Sequence, residues 1–143
     1  MKFTYRELEV IPSGASSKRK VIFRPIIPIF LISSQKMVGY EALIDSGADH
    51  NVFDAGIADI LGIRLKAGSK KQITGLAGQN VKGYEHSLGL KIGSYLYKTK
   101  IIFSSEIVSN SFGVLGNIGF FDHFSVLLNY KRKVIEIKYV RSD

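Results

Sequence analysis

Apolar and polar residues alternate along most of this chain with a period of about two, the repeat of a half-buried strand. Phe3, Tyr5, Leu8 and Val10 give a loose version of it before Ile11-Pro12-Ser13-Gly14 breaks the run. Residues 14–20 are small, polar and basic and read as a loop. Val21 to Ile32 is β-branched and apolar, and its Pro25 and Pro28 predict an edge position or irregular pairing. Residues 37–44 predict a strand that runs directly into Asp45. Strands at 86–92 and 95–103 flank Gly93-Ser94, a hairpin signal, and 125–129 and 133–140 pair across Tyr130-Lys131-Arg132. A further hairpin over 70–84 has Gly75-Leu76-Ala77-Gly78 at its tip. One short helix is predicted, capped by Asp54, carrying Ile57, Ile60 and Leu61 at i, i+3 and i+4, and ended by Gly62. A second helical or turn segment falls near 117–123. The pattern defines an all-β protein, a small closed or partly closed barrel with one or two short helices.

The 143 residues fit a single domain, 1–143, with residues 1–20 as an N-terminal extension and loop. The chain has no cysteine, which excludes disulfides and thiolate chemistry. Its first residues have no apolar core of the signal type, and Val21 to Ile32 is too short and too interrupted to span a bilayer. A cytoplasmic protein with no membrane partner is expected. The net charge of +8 is spread along the chain, with two tight clusters, Lys18-Arg19-Lys20 and Lys131-Arg132-Lys133. Neither is interleaved with aromatics as a base-stacking surface is, so the charge reads as solvated surface and no nucleic acid is expected. His50, His86 and His123 fit no zinc spacing, and neither metal nor other cofactor is called for. Phe120, Phe121 and Phe124 read as core or interface packing.

The densest chemistry is Ala42-Leu43-Ile44-Asp45-Ser46-Gly47-Ala48-Asp49. A carboxylate at the end of a buried strand is costly unless it finds hydrogen bonds or shares a proton. Gly47 permits a tight turn, Ser46 supplies a hydroxyl, and Ala48 lets another group approach. A bare Asp-Ser/Thr-Gly arises by chance in roughly one chain in twenty of this length, so the weight rests on its surroundings. Leu43-Ile44-Asp45-Ser46-Gly47-Ala48 resembles the active-site loop of the retroviral-type aspartic peptidases, the retropepsins. Asp49 matches the acidic residue that often follows in viral members. The order of parts is also similar: strand, loop, short helix, hairpin, then a second apolar-apolar-Gly at Val114-Leu115-Gly116. The likeness spans roughly residues 20 to 140.

The resemblance implies a barrel of the retropepsin type and an aspartic endopeptidase. Asp45 would be the catalytic carboxylate, with Ser46, Gly47 and Ala48 supporting its loop. Gly75, Leu76, Ala77 and Gly78 would be the tip of a flap over the substrate, and Val114, Leu115 and Gly116 the element packed beside the catalytic loop. Asp49 is open between binding the substrate backbone and serving as a loop ion pair or cap. Since Asp-Ser-Gly occurs once, the second carboxylate must come from a second copy of Asp45, and the expected assembly is a homodimer acting on a polypeptide. Two departures stand out. Asn117 follows Gly116 where viral members commonly carry arginine, and the chain is longer at its N-terminus, which puts an interface built from chain ends in doubt. Microbial members, with an aromatic-rich segment after the glycine, resemble Phe120-Phe121-Asp122-His123-Phe124 better. The rival reading is a retropepsin-like dimerisation or peptide-binding module with little turnover.

Overall fold

Alternation becomes a closed ring of strands. The computed structural model describes residues 1–11, 13–14, 18–74, 78–107 and 112–141. Its elements are β1 (Lys2–Thr4), β2 (Arg6–Val10), β3 (Lys20–Arg24), β4 (Ile26–Ile32), β5 (Met37–Ile44), β6 (Val52–Asp54), α1 (Ala55–Ile60), β7 (Ser69–Thr74), β8 (Asn80–Ile92), β9 (Tyr95–Ser104), β10 (Gly113–Leu115), β11 (Phe124–Asn129) and β12 (Val134–Tyr139), with a 3-10 turn at Leu65–Ala67. The main sheet runs β4-β5-β10-β6-β9-β8-β7, and β8 returns to β4 through Phe30↔Lys91, Leu31↔Leu90 and Ile32↔Gly89. Six strands therefore close on themselves, and β7 hangs from the first half of β8 as a hairpin that leaves the ring. Closure removes sheet edges that would otherwise invite association.

The core follows the period of two. Ile27, Ile29 and Leu31 of β4, Leu88, Leu90 and Ile92 of β8, and Ile101 and Phe103 of β9 all point inward and are buried. Pro25 separates β3 from β4, and Pro28 lies before the stretch of β4 that also pairs with β8. The missing N–H of Pro28 thus falls where β4 has only β5 beside it. This is the edge position, one of the two alternatives that the prolines predict; the register with β5 is unbroken through Pro28.

Helix α1 forms as its signals require: the Asp54 side chain accepts from the Gly56 N–H, and Gly62 takes a left-handed φ of 72° just past the end. Its buried face differs from the expected one. Ile57, Ala58 and Leu61 enter the core while Ile60 is exposed, because so short a helix meets the barrel along one narrow stripe. The β8–β9 and β11–β12 hairpins form at the expected turns.

The other sheets lie outside the ring. β1 and β11 flank β12 in a three-stranded sheet, tied further by bonds from the Met1 amino group to the Ile137 carbonyl and back (2.7 and 2.8 Å). It packs on the barrel through Phe124, Tyr95, Tyr97 and Tyr139. Among the described residues, β2 and β3 pair only with each other. Residues 1–20, expected as extension and loop, thus supply β1, β2 and the first residue of β3. No helix among the described residues is long and apolar enough to cross a membrane.

Candidate active site

Strand β5 delivers Asp45, and what holds it there comes from the other end of the chain. β10 inserts between β5 and β6, parallel to the first (Gly113↔Ala42, Val114↔Leu43, Leu115↔Ile44) and antiparallel to the second. The loop 45–50 therefore wraps around the end of β10. The Asp45 N–H donates to the Leu115 carbonyl (3.0 Å), and the Asn117 and Ile118 N–H groups donate to the carbonyls of Ala48 and Asp49 (2.9 and 2.8 Å). Within the loop, the Ala48 N–H donates to the Asp45 carbonyl (3.1 Å) and the Gly47 N–H to Asp45 Oδ1 (2.9 Å). The second bond holds one carboxylate oxygen, and the other has no hydrogen-bond partner among the described residues. Asp45 is half-buried; Ser46 and Gly47 are exposed.

Close approach of the two segments demands glycine at 116. A Cβ there would lie 2.5 Å from the His50 carbonyl oxygen and 2.7 Å from that of Ala48, closer than any side chain tolerates. Val114, Leu115 and Gly116 are thus in register beside the loop. Asn117 turns its amide to the Ser46 carbonyl (3.2 Å) instead of reaching toward Asp49, which is exposed.

One residue that the sequence reading passed over supports the arrangement. Asn51 is fully buried. Its Oδ1 accepts from the Gly116 N–H (3.0 Å), and its Nδ2 donates to the Lys100 carbonyl (3.3 Å). A single side chain thus ties the loop to both β10 and β9. In the sequence it ends the polar run Asp49-His50-Asn51 ahead of Val52-Phe53 and reads as an ordinary turn asparagine.

Asp45, Ala48, Asp49 and Val52 line a cavity of about 330 Å³ whose opposite wall is Ile73 and Thr74 of β7. The carboxylate and the β7–β8 hairpin therefore face one space. Of the proposed tip, Gly78 is exposed with a φ of 76°, and Gly75, Leu76 and Ala77 lie outside the described residues. The other aspartates nearby have structural duties: Asp54 caps α1 and Asp122 accepts from the Gly119 N–H. A larger cavity of about 610 Å³ opens between the end of β4 and the β8–β9 hairpin, but no carboxylate lines it, and its histidine, His86, has Nε2 2.8 Å from the Leu65 carbonyl oxygen.

No family model and no curated protein matches the sequence. Solved structures do match. A retropepsin-like aspartic protease from Rickettsia conorii is similar over 96% of both chains, with a TM-score of 0.60 at 17% identity. The retroviral protease-like domain of Ddi1 from Leishmania major is similar over 82% of this chain and 90% of its own, with a TM-score of 0.54 at 12% identity. The chain has the retropepsin-like fold.

Proposed function

We propose that this chain is an aspartic endopeptidase that acts as a homodimer, its site assembled from two copies of Asp45. The observation that carries the reading is the half-buried Asp45 carboxylate, held on a braced loop and facing a cavity walled by the β7–β8 hairpin. The retropepsin-like fold supports it. Two carboxylates brought face to face cannot both ionise easily and share one proton. The ionised one takes a proton from a water, whose oxygen attacks the peptide carbonyl carbon. The protonated one hydrogen-bonds the carbonyl oxygen as the tetrahedral intermediate forms. Collapse of the intermediate breaks the C–N bond and passes a proton to the amine, releasing a new carboxyl and a new amino terminus. No metal or other cofactor takes part.

The substrate on this reading is an extended polypeptide, gripped by strand-like bonds between the Asp45 loops and the hairpins. The β7–β8 hairpin serves as the flap that covers it. Asp49, exposed and lining the same cavity, accepts from substrate N–H groups on this reading. Ser46 of each protomer meets its counterpart across the axis. Residues 1–143 act as one domain, in the cytoplasm.

The purified protein should cleave unfolded polypeptides, faster at mildly acidic pH, and a statine-type peptide should inhibit it. Asp45→Asn should lower cleavage about a thousandfold or more while leaving the dimer intact. Undiminished cleavage by that variant would sink the assignment. Peptide binding by the wild-type protein with no cleavage would transfer it to a binding module of the same fold.

A further inference from the structure

The β2–β3 hairpin has no partner within the described residues. Its strands pair only with each other, and none of its residues is fully buried. A two-stranded hairpin left alone in water is marginal at best. Yet one of its faces carries an apolar strip between charged ends: half-buried Leu8 lies across from half-buried Ile22, with Val10 following toward the tip, while Arg6, Arg24 and Lys20 share the face. Leu8 and Ile22 belong to no part of the barrel core, and Val10 is 39% exposed.

The root of the hairpin lies beside the candidate site. The Pro25 carbonyl, immediately after β3, accepts from the Ile44 N–H (2.9 Å), one residue before Asp45. Arg6 pairs with Glu41 of β5 and lies 5.8 Å from the Phe112 ring ahead of β10. On the reverse face, the Lys133 ammonium lies 4.8 Å over the Phe23 ring. The base of the hairpin is thus pinned to the strands that carry the Asp45 loop, and its Leu8–Ile22 pair is left over.

Resting on the reading above, two copies of Asp45 must meet at a two-fold axis, so the surface next to Asp45 is the surface next to the partner. The short loops 45–50 cannot hold that contact alone, since specific interfaces bury on the order of 1,200 Å² or more. β12 is not open to an intermolecular sheet, being flanked on one side by β1 and on the other by β11. We propose that the β2–β3 hairpin is the dimerisation arm, its Leu8–Ile22 face packing against the same hairpin of a second copy beside the paired Asp45 loops. The contact is isologous, as a two-fold axis requires.

The absence of native cysteine makes a clean test. Leu8→Cys, Leu128→Cys on the free edge of β11, and Met37→Cys at the far end of β5 are each treated with a short bis-maleimide, and the wild-type dimer is followed by sedimentation equilibrium. The arm predicts a cross-linked dimer from Leu8→Cys and none from the other two. It also predicts that Leu8→Glu raises the dimer dissociation constant roughly tenfold or more, with cleavage per protomer restored at high protein concentration. A dimer that cross-links through Leu128→Cys and not through Leu8→Cys would overturn the arm and leave the peptidase reading standing. A wild-type monomer at every concentration would overturn both. Since cross-linking reads proximity in a folded chain, a Leu8→Glu variant that fails to fold does not remove the test.

Discussion

The floor and the roof of the Asp45 cavity are built in opposite ways. The floor, loop 45–50, is bonded to 115–118 at one position after another and is braced from behind by a buried asparagine. The roof, β7 with the first half of β8, is tied to the ring at its base, where Ser104 and Glu106 bond the Lys82 backbone and Tyr84 and Glu85 pair with β9, while Ser69 to Gln72 are exposed. On the peptidase reading, rigidity is concentrated where a carboxylate is aimed, and freedom where a chain enters and leaves. The difference teaches that positioning of Asp45 depends on residues remote in sequence, whereas access to it depends on local ones.

Substitutions should separate the two. Gly116→Ala forces a methyl against the His50 and Ala48 carbonyls, so it should destabilise by about 2–3 kcal/mol and displace the loop. Denaturant unfolding and loss of cleavage would both register it. Asn51→Ala leaves the buried Gly116 N–H without an acceptor, at a cost of about 1–3 kcal/mol. Cleavage there should fall more than stability alone explains; unchanged kcat at a temperature where the variant is folded would show that the floor needs no brace. Tyr97 donates its hydroxyl to the Gly119 carbonyl (2.7 Å) beneath the 115–119 segment. Burial, then the nearby Asp122 and Tyr95, push its phenol well above the ordinary tyrosine value. The protonated form is the one the fold favours, so its contribution is complete below about pH 10 and is lost as the pH rises further. Tyr97→Phe should cost about 1 kcal/mol at neutral pH and flatten the alkaline fall in stability, measured by denaturation at stepped pH. On the roof, Ile73→Ala should change stability by less than about 1 kcal/mol, yet raise KM several-fold with kcat little altered. If Ile73→Ala unfolds the protein instead, the roof is part of the rigid body and the contrast fails.

Much of this was legible in the sequence. Alternation gave the faces of β4, β8 and β9, and Gly93-Ser94 and Tyr130-Lys131-Arg132 gave the hairpin turns, because these features are local. Asp45 stood out because an ionisable group after Leu43-Ile44 conflicts with burial. Partner choice was not legible. Nothing in Gly113-Val114-Leu115 says that it will slide between β5 and β6, since a period of two fixes which side chains point inward and is silent on which strand lies alongside. Asn51 was hidden for the same reason: its meaning is the Gly116 N–H, which is 65 residues away. Ile60 looked like core because a helical stripe in sequence does not reveal how narrow a strip the barrel will cover.

The insertion of β10 between β5 and β6 also imposes an order of events. A chain is synthesised from its N-terminus, and contacts between distant segments form late because loop closure must come first. Loop 45–50 has no scaffold until residues 113–118 have emerged and threaded into place. A nascent chain therefore carries Asp45 long before it carries a site. On the peptidase reading, with two copies needed, the timing built into the topology works against self-cleavage during biosynthesis.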